Sequence, residues 1–460
     1  MFFPNSSDLS SGRQVLVIGF ARQGQALARW LPTVGARVIV TDMRPQDDID
    51  VDLRHFPQVR FALGGHPLEL LDDTHLVCVS GGVPLNLPIV EEAIRRQIPV
   101  TNDAQLFLER CPAPVIGITG SAGKTTTTTL VGQMLKNAGQ TTWIGGNIGN
   151  VLLDVIMGIR PEHQVVMELS SFQLELVFTS PLISAVLNIT PNHLDRHGTM
   201  ENYMRAKANI IAHQPPGSAA ILGRDDPGSR SFESIVQGDL VWFSMREIVP
   251  HGAFMVGSRL TVAGIATPDD SPHIVCDVSE IPLRGEHNVL NVLAACAIAG
   301  TAGVPPDIMR DTILTFQSVP HRLETIRELN GVTYVNDSIA TAPERVIAAL
   351  NSYTEPIILL AGGADKKLSW TQMIALALHK TRHIIAFGRD GDIVLQTVQQ
   401  LTGHTDQVTR VETLEQAVIL AAKLAQSGDV VLLSPGGTSY DAYQDFAARG
   451  EHFRQLVMAL

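Results

Sequence analysis

The sequence predicts an α/β protein of three domains, built on largely parallel sheets. Short runs rich in β-branched residues alternate with helical stretches along the whole chain, a pattern typical of parallel strands with helices covering both faces of the sheet. The length of 460 residues corresponds to about three domains at roughly 150 residues each. With 45% hydrophobic and 17% charged residues, the chain can bury a large core. The clearest strand candidates are Val15–Ile18, Val38–Val40, Val115–Ile118, Val165–Met167, Ile357–Leu360 and Val430–Leu433.

Two proline-containing segments mark the domain junctions. Cys111–Pro114 precedes a new strand and a glycine-rich loop, and Ser318–Pro320 precedes a further α/β stretch. Between them, residues 217–285 are richer in short strands and turns, and a helix is expected to begin near His287. We therefore place the domains at residues 1–110, 111–317 and 318–460.

The composition argues against several classes of partner and site. Lys and Arg total 34 against 46 Asp and Glu, a net charge of −12, so we expect no binding to nucleic acid or to an anionic membrane through bulk charge. No apolar run approaches the ~20 residues of a membrane span, so no membrane insertion is expected. The four cysteines form no C-x-x-C pair, which favours the reducing cytoplasm over a disulfide framework or a thiolate zinc site. They are Cys78, Cys111, Cys276 and Cys296.

A glycine-rich loop opens the second domain. It lies between a predicted strand, Val115–Thr119, and a predicted helix, Lys124–Leu135, so its backbone N–H groups and the helix N-terminus can surround a polyphosphate. Lys124 would contact the terminal phosphates and Thr125 a magnesium ion. The pattern is a short G-x-x-G-K-T, and a purely structural turn is the alternative. The predicted nucleotide-binding residues of the loop are Gly120, Ser121, Ala122, Gly123, Lys124, Thr125 and Thr126.

A carboxylate and a histidine follow the next strands. Glu168 ends the strand that begins at Val165, and a strand predicted over Ala185–Thr190 leads to His193. Because parallel strands end at one edge of a sheet, we expect both side chains near the loop lysine, where a carboxylate can hold magnesium. Taken alone, the acid would as readily cap a helix and the histidine form an ordinary hydrogen bond.

Taken together, these motifs resemble the ATP-dependent Mur ligases of peptidoglycan synthesis, over nearly the whole chain. Within that family, Glu168–Gln173 and Ser434–Pro435 followed by Ser439–Asp441 are most similar to the members that add glutamate to UDP-N-acetylmuramoyl-L-alanine. The remaining motifs that carry the resemblance are Gly117–Thr126, Gly145–Gly149, Asn188–His197, Ala206–Lys207, Glu286–Asn288, Asn291, His321–Glu324 and Asn336–Ser338.

The resemblance implies a fold, a reaction and a set of ligands. It implies an amino-terminal Rossmann-like domain for the UDP substrate, a central P-loop ATPase domain and a carboxyl-terminal Rossmann-like domain for the amino acid. ATP would phosphorylate the substrate carboxylate, and the amine of glutamate would attack the acyl phosphate to form an amide. Two magnesium ions, a carbamylated Lys207 and a monomer are implied as well. Without the resemblance, Lys207 would be interpreted as a solvated surface charge.

By similarity, Lys124, Glu168, His193 and Lys207 are the expected catalytic residues, and the last three with Thr125 are the expected metal ligands. Asn147 would contact substrate or nucleotide phosphate. The expected adenine and ribose contacts are Asn288, Asn291, His321, Arg322 and Asp337.

The two ends of the substrate map to two further groups of residues. At the amino end, a G-x-A-x-x-G loop follows the first strand. Ala stands where a dinucleotide fingerprint has its second glycine, so we favour UDP as the ligand of this loop. An NAD-type oxidoreductase is the alternative. The expected UDP-substrate residues are Phe20, Ala21, Arg22, Gln23, Asp42, Arg44, Ser80, Gly81 and Asn147. The expected glutamate-binding residues are Thr341, Lys366, Ser439 and Phe446.

Two departures from the family pattern concern the acceptor. Ile339 stands where most of these relatives have Lys, and Gly436–Thr438 replaces a usual Ala-Cys-Ala. We expect D-glutamate as the acceptor, with L-glutamate as the alternative. A folylpolyglutamate-synthase-like ligase is disfavoured because that class lacks such a uridine-nucleotide domain. A non-catalytic nucleotide-binding protein is disfavoured because the phosphate and magnesium residues are all present.

Overall fold

The computed structural model describes residues 12–49, 51–317, 319–364 and 368–460. By internal contacts the chain divides into two units, Met1–Glu280 with Leu290–Leu314, and Ile281–Val289 with Thr315–Leu460. Within the described residues, the first unit holds two sheets and the second holds one. The predicted α/β architecture with largely parallel sheets is confirmed, while the domain boundaries after residues 110 and 317 remain predictions.

The first sheet is wholly parallel, with the strand order β3-β2-β1-β4-β5. Its order reverses between β1 and β4, so the loops after these two strands border a crevice at the carboxyl edge. A Cβ on Gly24 would overlap the carbonyl oxygen of Gly19, which is why the first helix can start so close to β1. The elements are β1 (Gln14–Ile18), α1 (Arg22–Thr33), β2 (Arg37–Asp42), β3 (Val59–Leu63), β4 (Thr74–Val79), α2 (Pro88–Arg95), β5 (Val100–Thr101) and α3 (Asp103–Arg110).

The second sheet has nine strands in the order β14-β13-β12-β11-β10-β9-β6-β8-β7. Its strands run parallel from β7 to β12, and β13 and β14 add an antiparallel end. The strands are β6 (Val115–Thr119), β7 (Thr142–Gly146), β8 (Gln164–Glu168), β9 (Ile183–Val186), β10 (Ala219–Gly223), β11 (Asp239–Ser244), β12 (Gly252–Val256), β13 (Arg259–Gly264) and β14 (Asp270–Asp277). The helices between β6 and the third sheet are α4 (Lys124–Asn137), α5 (Ser171–Leu174), α6 (Leu194–His197), α7 (Met200–Ala212), α8 (Pro227–Arg230), α9 (Glu286–Thr301) and α10 (Pro306–Thr315).

The strand predicted over residues 185–190 is shorter than expected. It ends at Val186, because the following backbone turns to other partners. The Asn188 carbonyl accepts from Ser121 N–H at 2.9 Å, and Ile189 N–H donates to the Asp226 carboxylate at 3.0 Å. The segment after β9 therefore lines the glycine-rich loop.

The third sheet has the order β15-β16-β20-β17-β18-β19, with only β15 antiparallel to its neighbour among the described strands. Alternate residues of each central strand enter opposite cores; Leu359 packs on one face and Leu360 on the other, as the continuous apolar runs predict. The elements are β15 (Glu324–Leu329), β16 (Val332–Asn336), α11 (Pro343–Asn351), β17 (Ile357–Gly362), α12 (Thr371–Lys380), β18 (Thr381–Phe387), α13 (Gly391–Thr402), β19 (Val408–Arg410), α14 (Leu414–Leu424), β20 (Val430–Gly436) and α15 (Phe446–Met458).

Two predictions from composition can be compared with the structure. All four cysteines lie in the described part and are free. Among the described helices, none combines the length and the apolar character needed to cross a membrane.

Candidate active site

The glycine-rich loop after β6 is held in shape by residues of the segment after β9. Asn188 accepts from the Ala122 N–H at 2.8 Å and donates to the Ala122 carbonyl at 3.1 Å. The Ser121 hydroxyl donates to the Thr190 carbonyl at 2.9 Å and lies 2.8 Å from the Tyr203 hydroxyl. The loop is thus fixed before α4 begins at Lys124, and Thr126 is already buried in that helix.

Gly123 occupies a position that requires glycine. Its φ is +82°, and a Cβ there would overlap the side-chain oxygen of Asn291. The structure therefore places Asn291, which lies in α9, directly beside the phosphate loop.

Glu168 is buried at the carboxyl end of β8 and binds two predicted site residues. Its carboxylate accepts from the Thr125 hydroxyl and from the Asn147 amide, each at 2.9 Å. Backbone pairing supports this, since the Asn147 N–H donates to the Glu168 carbonyl at 2.9 Å. The carboxylate and the threonine predicted to share a magnesium ion therefore lie in contact.

Two lysines converge on one carbonyl at this edge. Lys124 Nζ donates to the Gly120 carbonyl at 2.9 Å, and Lys207 Nζ donates to the same oxygen and to Thr119 Oγ1, each at 3.1 Å. Lys207 is 1% exposed, so its interpretation as a surface charge is wrong. Burial, with a smaller effect of the Lys124 charge, lowers the pKa of Lys207 well below its usual value, against the attraction of Glu168.

His193 lies in the same segment, with a left-handed backbone (φ +54°) before α6. Its ring is exposed and packs edge-on against Phe172, with centroids 5.0 Å apart. The His197 ring stacks on the same Phe172 ring, with centroids 5.2 Å apart.

The residues present suit magnesium rather than a metal caged by protein alone. The described part of the chain contains no group of three or more His, Cys, Asp or Glu side chains placed to hold a metal. Magnesium commonly takes one or two carboxylates and completes its shell with water and substrate phosphates. Glu168 with the Thr125 hydroxyl, beside a phosphate loop, offers that donor set.

In the first sheet, Asp42 organises the loop predicted to bind UDP. It accepts from the Phe20 N–H at 2.6 Å and from the backbone and guanidinium of Arg44 at 2.9 to 3.0 Å. Burial alone would raise the pKa of Asp42, but these hydrogen bonds outweigh it and lower the pKa to about 2. Across the crevice, Ser80 is buried with no hydrogen-bond partner for its hydroxyl among the described residues, and Gly81 lies beside the Gln23 side chain.

Arg22, the first residue of α1 after Ala21, joins this crevice to the second sheet. Its guanidinium donates to the carbonyls of Asn147 and Gly149, each at 2.9 Å. Since Asn147 also binds Glu168, one chain of contacts runs from the predicted UDP loop to the predicted magnesium carboxylate.

In the second unit, Asp337 directly follows β16 and is buried. Its carboxylate accepts from the Ser434 hydroxyl at 2.8 Å and from the Leu323 N–H at 3.3 Å. Burial raises the pKa of Asp337 to about 7, against the Ser434 hydrogen bond. Nearby on the chain, Arg322 has a buried Nε with no hydrogen-bond partner among the described residues, and His321 has a left-handed φ of +65°.

The other predicted nucleotide residue of this unit is Asn288, in the first turn of α9. Its amide donates to the Arg284 carbonyl at 2.7 Å. Its side chain therefore secures the start of the helix.

The loops predicted to hold glutamate are tied together by Arg449, which the sequence analysis missed. Arg449 is fully buried and donates to the carbonyls of Ser338, Gly437 and Thr438 at 2.9 to 3.2 Å. The signal in the sequence was that Arg449 precedes the apolar Phe453 by four residues, so both side chains lie on the same face of α15.

The predicted glutamate-binding residues that the structure describes make different contacts. Ser439 is buried and directly follows Thr438, whose carbonyl accepts from Arg449. The Phe446 carbonyl accepts from the Ser338 hydroxyl at 2.8 Å. Thr341 N–H donates to the Ile339 carbonyl at 2.8 Å. Lys366 lies outside the described residues.

Comparison with known proteins assigns the chain to a family. A MurD-like Mur ligase amino-terminal domain matches residues 13–102, the Mur ligase middle domain matches 118–299, and the Mur ligase glutamate ligase domain matches 321–437. The UDP-N-acetylmuramoylalanine–D-glutamate ligase of Pelotomaculum thermopropionicum is 38% identical over 451 residues, covering 97% of this chain and 98% of that protein. The enzyme of the same name from Symbiobacterium thermophilum is 40% identical, covering 96% and 97%.

The chain belongs to the Mur ligase family.

Solved Mur ligases share the fold over nearly the whole length. The UDP-N-acetylmuramate–alanine ligase MurC of Thermotoga maritima matches with a TM-score of 0.60 at 16% identity, covering 97% of this chain and 99% of that one. A MurF ligase from the same organism, in complex with ADP, matches with a TM-score of 0.58 at 19% identity, covering 98% and 100%. The predicted family, fold class and ligase type are therefore confirmed, and the comparisons do not favour the oxidoreductase or folylpolyglutamate-synthase alternatives.

Proposed function

We propose that this Mur ligase joins D-glutamate to UDP-N-acetylmuramoylalanine at the expense of ATP, in peptidoglycan precursor synthesis. The observation that carries the proposal is full-length identity of 36–40% to ligases of that name, in a chain that keeps Lys124, Thr125, Glu168 and Lys207 together at one sheet edge. D-glutamate is preferred over L-glutamate because the named relatives use it. Four free cysteines and an ATP-dependent reaction favour the cytoplasm, and we propose a monomer.

The reaction has two steps on this site. The substrate carboxylate attacks the γ-phosphoryl group of ATP, so a C–O–P linkage forms as the bond to ADP breaks. The amine of glutamate then attacks the acyl carbon, phosphate leaves, and the amine loses a proton. Lys124 and the N–H groups at the start of α4 stabilise the charge that grows on the phosphoryl oxygens, in a loop geometry already fixed by Ser121 and Asn188.

Magnesium, when bound, would neutralise phosphate charge and polarise the transferred group. Thr125 and Glu168 are the proposed ligands of one ion, and Glu168, His193 and a carbamylated Lys207 of the other. What supports the first set is the direct contact of hydroxyl and carboxylate. What supports the carbamate is a buried amine whose pKa is lowered, because carbamylation requires the neutral amine and yields an anion beside Lys124.

The substrate residues are assigned from the crevice outward. UDP would lie at the switch point of the first sheet, against Phe20–Gln23, Asp42, Arg44, Ser80 and Gly81. Arg22 contacts the Asn147 carbonyl, and Asn147 binds Glu168, which contacts Thr125 of the phosphate loop. The alanine carboxylate of the substrate must extend in this direction to reach the γ-phosphate of ATP.

The second unit would supply the remaining contacts. We assign Asn288, His321, Arg322 and Asp337, with Asn291 of the first unit, to adenine and ribose. Thr341, Lys366, Ser439 and Phe446 are assigned to glutamate. Neither Ile339 nor Gly436–Thr438 alters the residues proposed for phosphoryl transfer.

Trapping of the acyl phosphate tests this mechanism. Protein, ATP, magnesium and UDP-N-acetylmuramoyl-L-alanine are incubated with hydroxylamine and without glutamate, and the products are identified by mass spectrometry. We expect the alanyl hydroxamate together with ADP. A hydroxamate accompanied by AMP would indicate adenylation and contradict the assignment of the phosphate loop.

A further inference from the structure

Arg196 of α6 is not among the residues assigned to the reaction, yet it reaches the loop after β4. Its guanidinium donates to the carbonyls of Gly82 and Val83, at 3.1 and 3.3 Å. These residues directly follow Ser80 and Gly81, which are assigned to the UDP substrate. The contact therefore joins the second sheet to a substrate loop of the first.

The same guanidinium covers an aromatic ring that touches a proposed metal ligand. Arg196 Cζ lies 4.5 Å from the ring centroid of Phe172, a favourable position for a cation over an aromatic face. The Phe172 ring packs edge-on against His193 and stacks on His197. Arg196 thus contacts both the substrate loop and Phe172, the ring against which His193 packs.

A second arginine makes a similar connection in the opposite direction. Arg22, in α1 next to the first sheet, donates to the Asn147 carbonyl, and Asn147 in turn binds Glu168. Two proposed metal ligands, Glu168 at the end of β8 and His193 after β9, are therefore each linked through one arginine to one substrate loop.

Simple tethering of the two sheets is provided elsewhere. Arg29 of α1 forms a bidentate ion pair with Asp154 at 2.9 Å. Among the described residues, that pair joins the same two parts of the first unit, and neither side chain hydrogen-bonds to the substrate loops or to the proposed metal ligands. It provides a matched control for any effect of merely holding the sheets together.

We propose that Arg196 is a positioning residue that couples occupation of the UDP-substrate site to the placement of His193 beside the ATP site. Substrate bound against Ser80 and Gly81 fixes the loop whose carbonyls hold the guanidinium, and the guanidinium fixes Phe172 and with it the His193 ring. Because the guanidinium spans two carbonyls and an aromatic face together, lysine cannot reproduce the arrangement. The inference rests on the proposed function.

The test is a coupling measurement by titration calorimetry. Binding of a non-hydrolysable ATP analogue with magnesium is measured with and without saturating UDP-N-acetylmuramoyl-L-alanine. We expect the substrate to tighten analogue binding by about 5- to 100-fold in the parent chain, within the usual range of site-to-site coupling, and by less than about twofold in Arg196→Ala and Arg196→Lys. Arg29→Ala should keep the parent coupling.

Several results would overturn the inference. They are full coupling in either Arg196 variant, an equal loss in Arg29→Ala, or no coupling in the parent chain. Circular dichroism and the melting temperature identify a variant that does not fold, and the lysine variant then carries the test. Product formation by the parent chain is measured separately, so the proposed function can stand while this inference fails, and the reverse is also visible.

Discussion

Replacing Lys207 with alanine removes the buried amine that shares the Gly120 carbonyl with Lys124. With an ordinary pKa near 10.4, a lysine at pH 7 needs about 4.6 kcal/mol to become neutral, and burial beside a second cation lowers that cost here. The site therefore favours the form that can be carbamylated. We expect Lys207→Ala to lose about 10²–10³-fold in kcat, or about 3–4 kcal/mol of transition-state stabilisation.

The loss should come from chemistry and not from unfolding. Alanine removes three methylenes at about 0.8 kcal/mol each, but it also removes a costly buried amine. The melting temperature should therefore fall by only a few degrees. Lys207→Met is the matched control, since it keeps the packing and lacks the amine.

Chemical rescue separates a carbamate from a plain ammonium. Short carboxylic acids such as acetate or propionate should restore part of the ligase rate of Lys207→Ala, because they can enter the vacated space and replace the carbamate oxygens. They should not rescue Lys207→Met, whose side chain fills that space. Rescue by small amines in place of acids, or full activity of Lys207→Ala, would refute the carbamate.

Three further substitutions test other parts of the account. Lys124→Ala should abolish ADP release and hydroxamate formation with an unchanged melting temperature, and near-normal ADP release would show that the loop is not the phosphate site. The pKa of Asp337 is about 7 in the fold and 3.8 in the unfolded chain. Its contribution to the free energy of unfolding is therefore fully present below pH 3.8, and it falls by up to ~4 kcal/mol as the pH rises to 7. Asp337→Asn should remove this dependence, and a stability difference from the parent that does not change with pH in urea titrations would contradict it. Gly24→Ala should lower the free energy of unfolding by ~3 kcal/mol, because its Cβ overlaps the Gly19 carbonyl; a parent-like urea midpoint would contradict that packing.

The sequence was most informative where a site is built from consecutive residues. The strand, glycine-rich loop and helix around Gly120–Thr126 appear as predicted, because turn chemistry and a helix N-terminus are local properties. Glu168 could be placed for a similar reason, since the carboxyl ends of neighbouring parallel strands meet at one edge. The strand predicted over residues 185–190 was too long, because the pairing of Asn188 with the loop is a tertiary contact.

The arginines show what sequence reasoning could not supply. Arg22 and Arg196 donate to backbone carbonyls that are more than 100 residues away along the chain, and a carbonyl acceptor leaves no residue type to detect. Arg449 is buried although arginine is among the residues least often found inside proteins. The burial of Lys207 was predictable only through the family resemblance, because its helix otherwise has the composition of a surface helix.

The most direct test of the central claim compares the two enantiomers of glutamate as acceptors. Purified protein is given ATP, magnesium and UDP-N-acetylmuramoyl-L-alanine, and the amide product is quantified with D-glutamate and with L-glutamate in parallel. Both forms carry the same groups, so discrimination depends on the position of the amine, where a shift of about 1 Å can change the rate ~10²-fold. We predict ATP-dependent product with a strong preference for D-glutamate. A preference for L-glutamate would contradict the assigned acceptor, and no product with either enantiomer would contradict the proposed function.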